Sequence, residues 1–268
     1  MMKRNNFPFS AVLGLNHAKT AILIVLVNPR AGGLLISGPR GIGKSTLMRS
    51  TQELIERPWR DIPVSVTEDR LFGTIDTEKA IYSGQKKLYP GIINEADQGV
   101  LYLDDANLLR EDLLDSILNI AEVGAYQLER DGLSLRCDTS FTVIAAINPE
   151  SGMLSGACLD QFGLFVNVDN IHDENTRVEI LKRTISFEKD CASFCNLWKL
   201  ENEKIKKAIH SAMSLLPKVV VSSAMIQLAS VYALKAHVSG HRADIYLIEA
   251  ARACLLYTSP SPRDMRRS

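Results

Sequence analysis

The stretch Gly33-Leu34-Leu35-Ile36-Ser37-Gly38-Pro39-Arg40-Gly41-Ile42-Gly43-Lys44-Ser45-Thr46 decides the fold. Its first five residues form a short apolar run that reads as a buried strand. Residues 38–45 fit the pattern G-x-x-x-x-G-K-[ST] at every required position. Thr46-Leu47-Met48-Arg49-Ser50 then reads as the start of a helix. A strand, a glycine turn and a helix N-terminus in that order aim backbone N–H groups at an anion. The expected phosphate cradle is Gly38, Pro39, Arg40, Gly41, Ile42, Gly43, Lys44, Ser45 and Thr46. Lys44 would reach the β- and γ-phosphates, and the Ser45 hydroxyl would ligate Mg²⁺. The expected ligands are therefore ATP and Mg²⁺.

Outward from the loop, strand and helix signals alternate. Residues 99–104, 141–147 and 163–168 are further near-continuous apolar runs, as in a parallel sheet covered on both faces. Between them, Leu113, Leu114, Ile117, Leu118 and Ala121 share one face of a helix. After about residue 172 the strand signals stop. Ser222 or Ser223 reads as the N-cap of a helix running to about His237, with Gly240 just beyond it. A last helix is expected from Ala243 to Leu256, before the breakers Pro260 and Pro262. The expected architecture is a three-layer α/β domain with a parallel sheet over 1–171, a small all-α lid over 172–256, and a disordered or non-native tail over 257–268.

A phosphate loop needs a carboxylate to order Mg²⁺ and a group to position the attacking water. The run Val100-Leu101-Tyr102-Leu103 ends in Asp104-Asp105, the arrangement of a Walker B strand. Asp104 would hold the metal beside Ser45, and Asp105 would orient the water. Asn148 ends another strand, before Pro149. It is placed either to touch the γ-phosphate or the water, or simply to make the turn before proline.

Composition narrows the partners. The formal net charge is +0, with no basic excess for nucleic acid and no acidic excess. Arg263, Arg266 and Arg267 against Asp264 leave about −2 for the rest of the chain. No apolar run approaches the roughly 18 residues of a membrane span; Ala21 to Val27 reads as core helix. No apolar stretch follows Lys3 and Arg4, so no signal peptide is expected. The 5 cysteines are odd in number and scattered, which suggests reduced thiols in the cytoplasm. Cys191 and Cys195 are the close pair, without a second Cys/His pair, and read as thiols rather than metal ligands.

From residue 7 to about 255 the chain resembles the AAA+ ATPase (I) subunits of magnesium chelatase, with the related cobaltochelatase and MoxR-like ATPases. The resemblance rests on an ordered set of segments. They are Phe7-Pro8-Phe9-Ser10-Ala11-Val12-Leu13-Gly14, Thr67-Glu68-Asp69-Arg70-Leu71-Phe72-Gly73-Thr74-Ile75-Asp76, Pro90-Gly91-Ile92-Ile93, Leu103-Asp104-Asp105-Ala106-Asn107-Leu108-Leu109, Glu129-Arg130-Asp131-Gly132, Asn148-Pro149-Glu150 and Gly240-His241-Arg242-Ala243-Asp244-Ile245. The resemblance implies that Asn148 is sensor 1 and that Arg242 is sensor 2, touching the γ-phosphate from the lid. It implies an insertion over residues 70–90 and a hairpin over residues 125–137, whose Asp131-Gly132 is a good turn by its own chemistry. It implies ATP-dependent rings, usually hexamers, working with a von Willebrand-type (VWA) subunit and a large porphyrin-binding subunit to insert Mg²⁺ into protoporphyrin IX.

The chain departs from the family pattern at two positions. The family's Walker B ends in Asp-Glu, where this chain has Asp104-Asp105. The family's Leu-Asp-Arg-Phe-Gly, whose arginine enters the neighbouring subunit's site, is here Leu159-Asp160-Gln161-Phe162-Gly163. An arginine finger contributes roughly 10³–10⁵ in rate. Both changes bear on hydrolysis rather than binding. The expected function is a chelatase motor subunit. The alternatives are a MoxR-like chaperone for a VWA-domain or metalloprotein client, or a weakly hydrolysing regulatory subunit.

Overall fold

The computed structural model describes residues 6–75, 88–130, 133–236, 238 and 240–258. In chain order the elements are α1 (Asn16–Val27), β1 (Gly33–Ser37), α2 (Lys44–Thr51), β2 (Trp59–Ile62), α3 (Glu68–Phe72), β3 (Gly73–Ile75), β4 (Leu88–Pro90), α4 (Ile92–Glu95), β5 (Gly99–Leu103), α5 (Glu111–Val123), β6 (Ala125–Arg130), β7 (Leu133–Asp138), β8 (Phe141–Ile147), α6 (Gly156–Leu159), β9 (Phe162–Asn167), α7 (Glu174–Lys189), α8 (Cys191–Leu215), α9 (Ser223–Lys235) and α10 (Arg242–Thr258). Five strands make one sheet in the order β2-β5-β8-β1-β9, every neighbouring pair parallel.

The strand period of two explains why these strands read as unbroken apolar runs. Leu34, Ile36, Val100, Ile144 and Ala146 face one core layer, with α1 and with Leu47 and Met48 of α2. Leu35, Leu101, Leu103, Val143, Ala145 and Ile147 face the other, with α5. Burying each large aliphatic side chain contributes about 1.5–3 kcal/mol, so both layers hold the sheet. The segment Ala21 to Val27 lies in α1, nearly all of it buried in the first layer.

Helix ends follow local chemistry. Glu111 and Asp112 sit in the first turn of α5, where the helix dipole favours acids, and Gly124 closes it at φ 79°. Asp173 caps α7 by accepting from Thr176 N at 2.8 Å. Ser222 caps α9 by accepting from Met225 N at 3.3 Å.

β2 escaped the sequence reading. It is an edge strand whose Arg60 and Asp61 are exposed, so it lacks an apolar run. α9 ends at Lys235, and His237 lies outside the described residues. α10 begins one residue earlier than expected and runs to Thr258, so Tyr257 and Thr258 continue the helix rather than opening the tail. Residues 259–268 of that tail lie outside the described residues. The expected hairpin is present as the antiparallel pair β6–β7, with its Asp131-Gly132 turn outside the described residues. The expected insertion begins in the last residues of α3 and contains the antiparallel pair β3–β4, with residues 76–87 outside the described residues.

After β9 the described chain is helical, and this C-terminal region has the form of a lid. α10 packs back against α1 and the turn before β1. There Asn28 Nδ2 donates to the Glu249 carbonyl at 3.0 Å and to Glu249 Oε2 at 2.7 Å. β9 starts so close to that turn that a Cβ on Gly163 would lie 1.9 Å from the Ala31 carbonyl oxygen, which only glycine permits.

Candidate nucleotide-binding site

The C-terminal ends of β1, β5 and β8 carry the loop, Asp104-Asp105 and Asn148, so the parallel topology gathers three distant segments at one sheet edge. In the loop, Gly41 and Gly43 sit at φ 79° and 98°, in the left-handed region. A Cβ on Gly41 would meet nothing within 4 Å, so the turn opens outward. Gly43 caps α2 without a side-chain hydrogen bond, which leaves first-turn N–H groups for an anion.

Lys44 is 7% exposed. Its Nζ donates to the Gly38 carbonyl at 2.6 Å and the Pro39 carbonyl at 2.9 Å, bridging the loop. Burial pushes its pKa below the ordinary lysine range; the carboxylates of Asp105 and Asp104 oppose that shift, and Arg40 adds to it. Ser45 Oγ donates to Asp104 Oδ2 at 2.9 Å, which joins loop and strand end. Among the described residues no group of three or more His, Cys, Asp or Glu side chains is placed to hold a metal. The Ser45–Asp104 pair nonetheless fits Mg²⁺, which takes one or two protein oxygens and completes its shell with phosphate oxygens and water.

Asp105 has φ 49° and ψ 49° and starts the short turn Ala106–Leu108. A non-glycine residue held there stores about 1–3 kcal/mol of strain, a cost found at functional sites. Its carboxylate is close enough to Lys44 to act on its charge. Asn148 is 2% exposed; its Oδ1 accepts from Glu150 N at 3.2 Å and its Nδ2 reaches Ser151 Oγ at 3.4 Å. It therefore makes the turn before proline while standing at the same sheet edge as the loop.

Three parts of this region were silent in the sequence reading. Asn107 Nδ2 donates to the carbonyls of Asn148 and Gly152 at 3.1 and 2.9 Å, tying the strand ends together. Beside Gly41, Gly43 and Thr46 lies a cavity of about 480 Å³, walled by Phe7, Val12, Leu13, Ile42, Ile180 and Phe187. Arg183 of α7 clamps its rim: Nη1 donates to the Ala11 carbonyl at 3.0 Å, Nε pairs with Glu179 at 2.8 Å, and the guanidinium lies 4.6 Å from the Trp198 ring centroid. An apolar slot next to a phosphate cradle suits the base of a nucleotide. The third is Tyr102, buried in β5.

The structure does not bring Arg242 to the loop of its own chain. Arg242 Nη2 pairs with Glu122 Oε1 at 2.6 Å. It lines a cleft of about 630 Å³ with Gln161 and with Gly33 and Phe141, the first residues of β1 and β8. The phosphate loop follows the last residue of β1, roughly 15 Å away by the rise of a strand. Arg242 and Gln161 thus share one wall, at the opposite end of the strands.

Comparison with known proteins fits this geometry. Residues 33–161 match the AAA domain (dynein-related subfamily). The chain is 32% identical to the magnesium-chelatase subunit ChlI homolog of Methanocaldococcus jannaschii, over 96% of this chain and 80% of that protein. It is 33% identical to the magnesium-chelatase 38 kDa subunit of Cereibacter sphaeroides, over 92% of this chain and 84% of that one. A structure of the complex between subunits BchI and BchD of magnesium chelatase contains a chain that is 30% identical and superposes with a TM-score of 0.60, covering 98% of this chain and 99% of its own length.

Proposed function

The chain belongs to the family of AAA+ magnesium-chelatase I subunits, and from that premise we propose that it is the ATP-hydrolysing motor of a chelatase complex that inserts Mg²⁺ into protoporphyrin IX. The observation that carries this is the 2.9 Å bond from Ser45 to Asp104, which sets hydroxyl and carboxylate together beside the phosphate loop.

Loop N–H groups and Lys44 hold the triphosphate, and the apolar slot at Phe7 and Ile180 takes the base. Ser45 and Asp104 would hold the nucleotide's Mg²⁺, which would supply positive charge to offset the charge that develops on the phosphates. Asp105 orients the lytic water and Asn148 borders the γ-phosphate position. Gln161 and Arg242 lie on the wall that the next subunit of a ring presents to a neighbour's nucleotide. The BchI–BchD complex of the relative supports work with a second subunit; on the same reading copies of the chain form a ring, the second subunit carries a VWA domain, and a large subunit binds the porphyrin. The odd number and scattered positions of the five cysteines favour the cytoplasm as its location.

Asp105 and Gln161 favour a second reading, in which the chain binds ATP but turns it over slowly and regulates an active partner. Steady-state ATP turnover by the purified chain, alone and with its co-purifying partners, separates the two. Turnover that the partners stimulate supports the motor; tight ATP binding with negligible turnover in both conditions supports the regulator.

A further inference from the structure

Tyr102 lies on the face of β5 that packs on α2, with Val100, Ile36 and Met48 around it. The period of a strand puts it on the same side as Asp104, two residues on, beneath the Ser45–Asp104 pair. Its ring packs 6.0 Å from that of Trp59 on β2. The residue is 3% exposed. Its hydroxyl is fully buried and makes no hydrogen bond of normal geometry, although Asp104, Ser45 and Asp61 are the polar side chains that act on it.

A buried hydroxyl without a partner calls for a reason, because a phenylalanine would fill the same space at no polar cost. The surrounding groups supply one. Asp61 already accepts from Trp59 Nε1 at 2.7 Å, and the Ser45 hydroxyl donates its hydrogen bond to Asp104. A carboxylate accepts at about four lone-pair positions, so Asp104 has room for a second donor.

The geometry points to Tyr102 as a positioning residue for the metal carboxylate: its hydroxyl donates to Asp104 and fixes that carboxylate's orientation when Mg²⁺ and nucleotide are bound. It touches neither metal nor nucleotide and acts through Asp104. Partners of this kind orient first-sphere ligands, and losing one typically lowers metal affinity about 10- to 100-fold. The inference rests on the nucleotide-and-metal reading of the loop.

The test uses the full chain and a fluorescent ATP analogue, titrated with Mg²⁺ and, separately, in EDTA. Tyr102→Phe is expected to raise the Mg²⁺ concentration for half-maximal binding about tenfold while binding in EDTA stays unchanged. Free Mn²⁺ counted by electron paramagnetic resonance should show the same loss of metal affinity. In an Asp104→Asn background, adding Tyr102→Phe should change nothing more. Tyr102→Leu is the second variant, with the same expected shift, should the phenylalanine chain fold poorly. An unchanged Mg²⁺ dependence, an equal loss in EDTA, or an additive loss in the Asp104→Asn background would each overturn the role of Tyr102. A wild-type chain that binds the analogue no better with Mg²⁺ than without would instead overturn the underlying site reading, and this inference with it.

Discussion

Arg242 and Glu122 form a 2.6 Å ion pair that ties the first turn of α10 to the last turn of α5, at the end of the sheet away from the phosphate loop. Both side chains are nearly half exposed, at 44% and 46%, so the pair is worth at most about 1 kcal/mol and breaks easily. In the proposed ring, a guanidinium held this loosely would be free to leave Glu122 for a triphosphate on a neighbouring subunit. Arg242→Ala should therefore leave ATP affinity of the isolated chain within about twofold and lower turnover of the assembled ring by about tenfold or more. Equilibrium binding and phosphate release measure the two; a matching loss of affinity in the isolated chain would place Arg242 at its own loop.

Gln161 shares that wall and carries no charge to offset the transition state. Gln161→Arg should raise ATP turnover of the assembled protein by at least about tenfold, well short of a fully evolved finger, with little change in affinity. Asp105→Glu, which restores the family's longer side chain, should add to it. Steady-state kinetics on the single and double variants would check both, and no gain from either would count against hydrolysis as the chain's task.

Lys44 bridges the loop through two carbonyls while burial disfavours its charge. Lys44→Ala should weaken ATP binding by about 10- to 100-fold, the range of one or two charge-assisted hydrogen bonds. The same change removes a buried cation, so thermal stability without ligand should not fall. Calorimetry with and without ATP would separate the two effects.

Lys19 is the clearest pH-sensitive group. Its Nζ donates to the carbonyl of Val12, which lines the cavity beside the phosphate loop, and burial, with Arg183 nearby, pushes its pKa down to about 8. Unfolded, it returns to about 10.4, so between these values the native chain binds fewer protons than the unfolded one. Lys19 thus makes stability rise as pH increases from about 8 to 10.4, and that contribution is absent below pH 8. Urea unfolding across this range should show the rise, and Lys19→Met should flatten it.

Gly163→Ala should destabilise the fold by about 1–3 kcal/mol, because its Cβ would lie 1.9 Å from the Ala31 carbonyl oxygen and backbone must move to admit it. Urea midpoints of the two chains give the difference directly.

What the sequence revealed tracks how local each feature is. The phosphate loop is fully written in eight consecutive residues, and β5 and β8 are legible because both of their faces are buried. β2 was not, since exposed Arg60 and Asp61 interrupt it at the sheet edge. Arg242 could be assigned to a helix start but not to an end of the sheet, because its position depends on how α10 packs back on α1. Tyr102 looks like any core residue in an apolar run, and only the fold places its hydroxyl beneath Ser45 and Asp104. The cavity beside the phosphate loop draws on Phe7 and Phe187, too far apart in sequence to signal each other.

The pin between Asn28 and Glu249 has a mechanical consequence. It clamps the lid's last described helix to the chain just ahead of β1, while the phosphate loop hangs from the other end of that strand. β1 lies between β8 and β9, hydrogen-bonded on both sides, which leaves it little freedom to bend. α10 and Gly38 thus stand at the two ends of one continuous path of covalent and hydrogen bonds along β1, without any side chain spanning the distance.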